Sequence, residues 1–398
     1  MKNKKGFTLI ELLAVIVVLA IIALIATPIV MNTIKNAKKG AAERSADNYV
    51  KAVEQAVAES RIDGTKIANG TYNIQSDSNL CPVSGCGEND KDKITIDMSG
   101  NKPTSGTVTI SNGGVSQDGT SMIVGDYAVS YDKDNNKQQA QELYKGVLCK
   151  ANTAKATAIL WDGENSPNDD SSYKEQEVGL LASETTSKYD VGVTYTCELG
   201  DNDIKTFFIL EANGDNVSLI MNANVDSNGK EITSSNIPED DENVAWITNE
   251  DYLAVGGVVT NTMKKDNGPC QTGNICVTTE YGPVTAETTL KTRTTKWTRL
   301  ISTQITLPTA NQIAEASNFS FNGEGVNGNL KPWLIANIEL LGTNGYWTST
   351  SDESDEYKIR AFSVYGTYRG GIDSYAYTII NSDYGIRPVI TISKSQLD

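Results

Sequence analysis

Between Phe7 and Met31 the chain holds one charged side chain, Glu11, and from Leu12 to Ala26 it runs through fifteen apolar residues without a break. As a helix rising about 1.5 Å per residue, this segment is roughly 37 Å long, enough to cross a hydrocarbon core of about 30 Å. Lys2, Lys4 and Lys5 precede the run, and Lys35, Lys38 and Lys39 follow it. With the amino terminus counted, cations are too evenly divided to fix orientation by charge. A secretory signal would have a shorter apolar run closed by a small-x-small site, and no Ala-x-Ala closes this one. A lipoprotein signal would place a cysteine just past the run, but the first is Cys81. A plain membrane anchor fits the length and gives Glu11 no role. A carboxylate in an apolar segment costs about 2.5–3.5 kcal/mol at mid-bilayer, so it is seldom kept without a partner.

The order Gly6-Phe7-Thr8-Leu9-Ile10-Glu11 after a short basic leader resembles the class III leader of type IV pilins and related pseudopilins. The resemblance implies that a prepilin peptidase cuts between Gly6 and Phe7 and methylates the new amine on Phe7. Phe7 and Glu11 would then serve assembly: the freed cation on one subunit meets the Glu11 carboxylate of the next. Each charge is costly alone in hydrocarbon, so pairing them favours one axial stagger between packed helices. Implied partners are the peptidase, other pilin subunits in a homo- or hetero-filament, and the inner-membrane assembly machinery. The precursor would cross the cytoplasmic membrane once, leader in the cytoplasm and body outside, and reach the cell surface in a pilus or pseudopilus.

Past Met31 the apolar pattern turns into a stripe: Ile34, Ala37, Ala41, Ala42, Tyr49, Val50, Val53, Ala56 and Val57. The spacing predicts one amphipathic helix over 7–62, ending at Asp63-Gly64, with Pro28 kinking or loosening a turn. Residues 1–6 are then leader, and 7–31 the transmembrane and assembly part. Period-two runs at 93–97, 106–110 and 127–131, separated by turn residues, predict an antiparallel β head over 63–137. The polar, turn-rich stretch 138–194 reads as a linker or small subdomain. Asp132, Asp134 and Asn136 alternate as in a calcium loop, but Lys137 stands where glycine is required and Leu143 where glutamate is.

Strand-like runs in the last two hundred residues include 206–210, 217–221, 346–350, 361–365 and 386–392, and a helix start follows Pro308. The sequence here runs Leu307-Pro308-Thr309, Pro332-Trp333-Leu334, Gly345-Tyr346-Trp347-Thr348-Ser349, then Gly385-Ile386-Arg387-Pro388. Over 195–398 this order is similar to the C-type-lectin-like fold, in the branch shared by formylglycine-generating sulfatase-modifying proteins and variable ligand-binding domains of bacterial surface proteins. The fold class expected is therefore α+β: a long pilin helix on an antiparallel sheet, then a mixed, β-rich lectin-like domain. No cysteine follows Cys276, so the oxidising activity of that branch is not implied. Glu-Pro-Asn, Gln-Pro-Asp and Trp-Asn-Asp are all absent, so calcium-dependent sugar binding is not implied either. The resemblance leaves a candidate surface for an extracellular ligand at Tyr357, Arg360, Tyr365, Tyr368, Arg369, Tyr375 and Tyr377. Tyrosine and arginine often carry contact energy, though alternate tyrosines can also simply pack a sheet face. Trp333 and Trp347 read as core.

The chain has no histidine, which removes Ser-His-Asp and Cys-His nucleophiles, His-ligated metal and imidazole acid–base chemistry. An enzyme is not expected, and nothing calls for a cofactor or metal. The acidic cluster Asp352, Glu353, Asp355 and Glu356 is the one place for carboxylate chemistry, and it reads as a solvated loop. Residues 1–66 carry net +4 and residues 67–398 net −20, so the general surface repels nucleic acid. Six cysteines allow fifteen pairings. Spacing favours Cys81–Cys86 and Cys270–Cys276, leaving Cys149–Cys197, with a four-thiolate zinc site from the two close pairs as the alternative. An even count fits an oxidising exterior. The competing functional reading is an uncleaved, single-pass surface receptor or adhesin that never polymerises.

Overall fold

The computed structural model describes residues 9–62, 64, 67–75, 77–82, 93–132, 137–163, 172–258, 277–323, 325–326, 328–338, 345–352, 360–365, 370–375 and 384–398. They form two compact units, 1–143 and 144–398.

The first unit is built on α1 (Leu9–Ile62), 54 residues long. Pro28 does not interrupt it, because a proline removes one hydrogen bond and a long helix keeps the rest. It stops at the predicted turn, where Gly64 has φ +76°. Ala42, Ala46, Tyr49, Val50, Val53 and Val57 are buried, a single face at helical spacing. Ile34, Ala37 and Ala41, expected in that stripe, are exposed, so the sheet covers the helix only from Ala42 onward. The strands are β1 (Gly70–Ile74), β2 (Leu80–Pro82), β3 (Ser105–Ser111), β4 (Gly114–Val124), β5 (Tyr127–Asp132) and β6 (Lys137–Glu142). They pair antiparallel in the order β2-β1-β3-β4-β5-β6. Tyr72, Ile74, Val108, Ile110, Met122, Val124, Tyr127 and Val129 share one core with the helix stripe. Tyr49 donates to the Ser78 carbonyl at 2.6 Å, and burial pushes its phenol up.

Two expectations for the head are corrected. Lys93–Asp97 contributes only an isolated bridge, Leu80 to Ile94; the Ile96 amide instead donates to the Asn79 side chain at 2.9 Å, and Lys93 pairs with Asp77 at 2.8 Å. The sheet also extends past 137, because β6 pairs with β5 along its length. Its sequence, KQQAQE, has almost no apolar face to signal a strand.

The second unit contains β7 (Cys149–Ala151), β8 (Ala156–Trp161), β9 (Tyr173–Val178), β10 (Thr194–Gly200), β11 (Asp203–Asn213), β12 (Asn216–Met221), α2 (Asn249–Ala254), α3 (Val284–Arg293), β13 (Ile305–Thr306), α4 (Ala310–Ala316), β14 (Gly345–Ser351), β15 (Ala361–Tyr365), β16 (Gly371–Tyr375) and β17 (Val389–Ser393). Six of these strands make a central antiparallel sheet, β13-β17-β12-β11-β10-β7. β14-β15-β16 form a second sheet, and β8-β9 a hairpin. The central sheet is buried on both faces. Phe207, Ile209, Leu219 and Ile390 face a core with Trp246, Trp297, Trp347 and α3. Phe208, Leu210, Ile220 and Val389 face another with α4, Trp333, Tyr346, Phe362 and the hairpin. Two-sided burial is why Phe207 to Leu210 is a continuous apolar run instead of an alternating one.

The stretch 138–194 is thus divided among a head strand, a central-sheet strand and a core-packed hairpin, and the boundary expected at 195 falls within the second unit. Cys149 and Cys197 are cross-strand partners of β7 and β10, joined by a disulfide across 48 residues. Gln396 to Asp398 bond the other edge of β7: Leu148 N–H to Gln396 O, and Asp398 N–H to Cys149 O.

Burial also holds the Tyr195 phenol up at about 12, its hydroxyl donating 2.8 Å to the Lys188 carbonyl. A phenol raised from about 10 stabilises the fold fully below pH 10 and loses that contribution as pH rises toward 12. Tyr49 shifts in the same direction. The melting temperature is expected to hold to pH 10 and fall steeply by pH 12, with buried phenolate absorbance appearing only on unfolding. Phenolate absorbance of all seventeen tyrosines reached by pH 11 in the still-folded protein would contradict the burial.

Candidate assembly helix and recognition sheet

Gly6 and Phe7 lie outside the described residues, and the Glu11 side chain is likewise not described. The α1 backbone does run continuously from Leu9 through Glu11 into the part packed on the head. Among the described residues, no helix is long and apolar enough to cross a membrane; of the apolar run, only Leu13 and Val30 have described side chains, both exposed. From Asn32 to Lys39 every side chain is exposed, in a region where the helix has left the apolar run and meets the sheet only at its rim. The head first touches it through polar groups: Glu142 pairs with Lys35, and Tyr127 Oη donates to the Lys35 carbonyl at 3.3 Å. Glu43 accepts the Ala140 amide at 3.1 Å.

The candidate ligand surface centres on β14-β15-β16, and its frame is tightly specified. Trp347 donates from its indole to the Val244 carbonyl at 2.8 Å and packs edge-on to Tyr384 at 4.7 Å. Thr348 accepts the Trp246 indole through its carbonyl at 2.8 Å and donates to Phe362 O at 2.7 Å. Thr350 accepts the Ala310 amide at 2.9 Å, holding the start of α4, which Thr309 and Gln312 cap reciprocally. The Tyr-Trp-Thr-Ser-Thr motif is therefore spent on the core, as expected for Trp347, and Trp333 is buried as well. Gly345 is required by contact: a Cβ there would sit 1.7 Å from the Val364 carbonyl oxygen, at φ +147°.

Arg387 locks this sheet to its surroundings, and its role was not evident from sequence. Fully buried, it donates to Leu334 O at 2.9 Å, to Ala336 O, and to Asn224 Oδ1 at 3.3 Å. Its guanidinium lies 4.6 Å from the ring of Tyr346, whose hydroxyl donates to the same Leu334 carbonyl at 3.0 Å. Asn224 completes the knot by donating to Gly345 O at 3.0 Å. Burial lowers the guanidinium to about 10, still charged at neutral pH. The Gly-Ile-Arg-Pro motif is thus a structural clamp.

Of the expected ligand residues, the structure places two on adjoining strands and a third just outside them. Arg360 is exposed just before β15. Tyr365 closes β15, half-buried, its ring lying over Gly371, where a Cβ would come 2.4 Å from the phenol oxygen. Tyr375 ends β16, paired with Ala361. Tyr357, Tyr368, Arg369 and Tyr377 lie outside the described residues. Of the acidic cluster, Asp352 is buried; Glu353, Asp355 and Glu356 lie outside them too. Among the described residues no group of three carboxylate or cysteine side chains could hold a metal. Cys81 is disulfide-bonded, which leaves no thiolate there for zinc; Cys86, Cys270 and Cys276 are outside the described residues, as are Asp134 and Asn136.

Residues 1–27 match the family described as the prokaryotic N-terminal methylation motif. The chain opens on a pilin-type leader. That leader implies a membrane-anchored precursor, processed by prepilin peptidase and assembled with other pilins. It covers the basic leader, Gly6, Phe7, Glu11 and the apolar run up to Thr27. No curated protein and no solved structure matches the chain, so nothing beyond the pilin-type leader is supported by likeness.

Proposed function

We propose that this chain is a minor or tip-located type IV pilin-like subunit: exported, cleaved after Gly6, methylated on Phe7, and carried into a pilus or pseudopilus by α1. The observation that carries the reading is the methylation motif running without a break into a helix whose far end is buried in its own head. The second unit would be the cargo, a C-type-lectin-like domain presenting Arg360, Tyr365, Tyr375 and their neighbours to an extracellular ligand. Its support is the order of motifs in sequence and the way the Trp-Thr-Ser and Arg-Pro segments build one frame beside the exposed Arg360.

Expression with prepilin peptidase should yield a mature chain beginning at methylated Phe7, and without it a chain beginning at Met1. A chain still beginning at Met1 in the presence of the peptidase ends the proposal. Glu11→Ala should insert into the membrane normally yet fall at least tenfold in filament incorporation, scored by immunoblot of sheared surface fibres. Unchanged localisation, with no filament-bound pool in either protein, would favour the unpolymerised receptor.

A further inference from the structure

Resting on the membrane-inserted reading above, we propose that Lys38 and Lys39 form a cationic collar that binds anionic phospholipid headgroups on the outer face of the membrane, fixing the depth of the precursor before assembly. Eight consecutive exposed residues, 32–39, cover the full circumference of α1. Within them Lys35 is engaged by Glu142 and held toward the head. Lys38 and Lys39 are exposed and have no carboxylate partner among the described residues. The nearest acidic side chain along the helix, Glu43, is occupied by the Ala140 amide, and the next cation, Arg44, is also exposed.

The axial positions fit this occupant. If the hydrocarbon ends near Met31, Lys38 stands about 10 Å further along the axis, just beyond a headgroup layer of about 5–8 Å. Helical side chains tilt toward the helix N-terminus, here toward the bilayer, and a lysine stem can lie back along apolar surface. The two ammonium groups therefore return to the depth of the phosphates. A lysine near an anionic surface gains about fivefold in local affinity at low ionic strength, less as salt screens it. The rest of the chain, net −20 over 67–398, is repelled by the same surface, so the collar would be the point of contact.

The test uses the full chain carrying Ile34→Trp, a half-exposed position, in vesicles containing brominated anionic or brominated zwitterionic phospholipid. The five native tryptophans begin at Trp161, and their emission is subtracted using the unsubstituted chain. The brominated anionic lipid should quench the reporter at least fivefold more effectively per mole, a preference lost in Lys38→Gln/Lys39→Gln and weakened by salt. Equal quenching by both lipids overturns the collar while leaving membrane insertion intact; the acidic body of a neighbouring copy would then be the better partner for these lysines. Quenching by neither lipid would show that the chain does not insert, overturning both readings.

Discussion

Arg387→Met should destabilise the second unit by about 4 kcal/mol, measured by urea unfolding of the full chain followed by tryptophan fluorescence. Ala336 O loses its guanidinium donor and Leu334 O is left with the Tyr346 hydroxyl alone, and an orphaned buried acceptor costs about 1–3 kcal/mol. The desolvated stack on Tyr346 adds about 2 kcal/mol more. Against this, methionine removes the expense of burying a charge. That expense is visible in the guanidinium being lowered to about 10: the folded state disfavours the cation at neutral pH, and relief comes only as pH rises through 10. The balance still favours the arginine, because its cost was met by three acceptors that methionine abandons. Arg387→Lys should lose about 2 kcal/mol, since one ammonium cannot span both carbonyls and stack on the ring. A methionine variant within 1 kcal/mol of the parent would mean that the clamp is dispensable.

Removing the Cys149–Cys197 disulfide, as Cys149→Ser/Cys197→Ser, should cost about 4 kcal/mol by the loop-entropy relation for a bond spanning 48 residues. Reduction of the parent under mild urea should cost at least as much, because Cys81 is disulfide-bonded too, and the same reductant should cost the double variant about 4 kcal/mol less than it costs the parent. Both sulfurs are fully buried between β7 and β10, so serine adds the burden of two hydroxyls in an apolar core. A drop below 1 kcal/mol would show that β-pairing alone fixes the short strand β7.

Several parts of the architecture were legible because the residues left one physical option. A fifteen-residue apolar run followed by a stripe at helical spacing from Ile34 to Val57 reads as a long helix, and the chain turns at Gly64. Short alternating runs such as Val108 and Ile110 sit where they were expected, and Trp333 and Trp347 are core. What was hidden was held by polar or by non-local contacts. β6 is a strand because β5 pairs with it along its length and the Glu43 carboxylate accepts its Ala140 amide, while its own sequence is nearly all glutamine and charge. Lys93–Asp97 alternates like a strand but finds its partners in the Asn79 and Asp77 side chains. β7 is three residues long, and only its neighbours and Cys197 reveal it. The role of Arg387 needs carbonyls from Leu334 and Ala336, some fifty positions away, which no local pattern announces. Of the candidate ligand residues, the sequence could name the strands but not separate a ring that packs over Gly371 from one that faces solvent.

The attachment of β7 has a mechanical consequence. Tension passing along the chain from the head enters the second unit at Tyr144 and meets a covalent stop at Cys149. Only the four residues between can pay out, to a span of about 14 Å at full extension. Beyond that point the load crosses a sulfur bridge into β10, one strand in from the edge of the six-stranded sheet, and β10 to β12 and β17 share it in shear. The forty-seven residues enclosed by the bridge, including the whole β8-β9 hairpin, stay slack under a pull that would otherwise unravel them first.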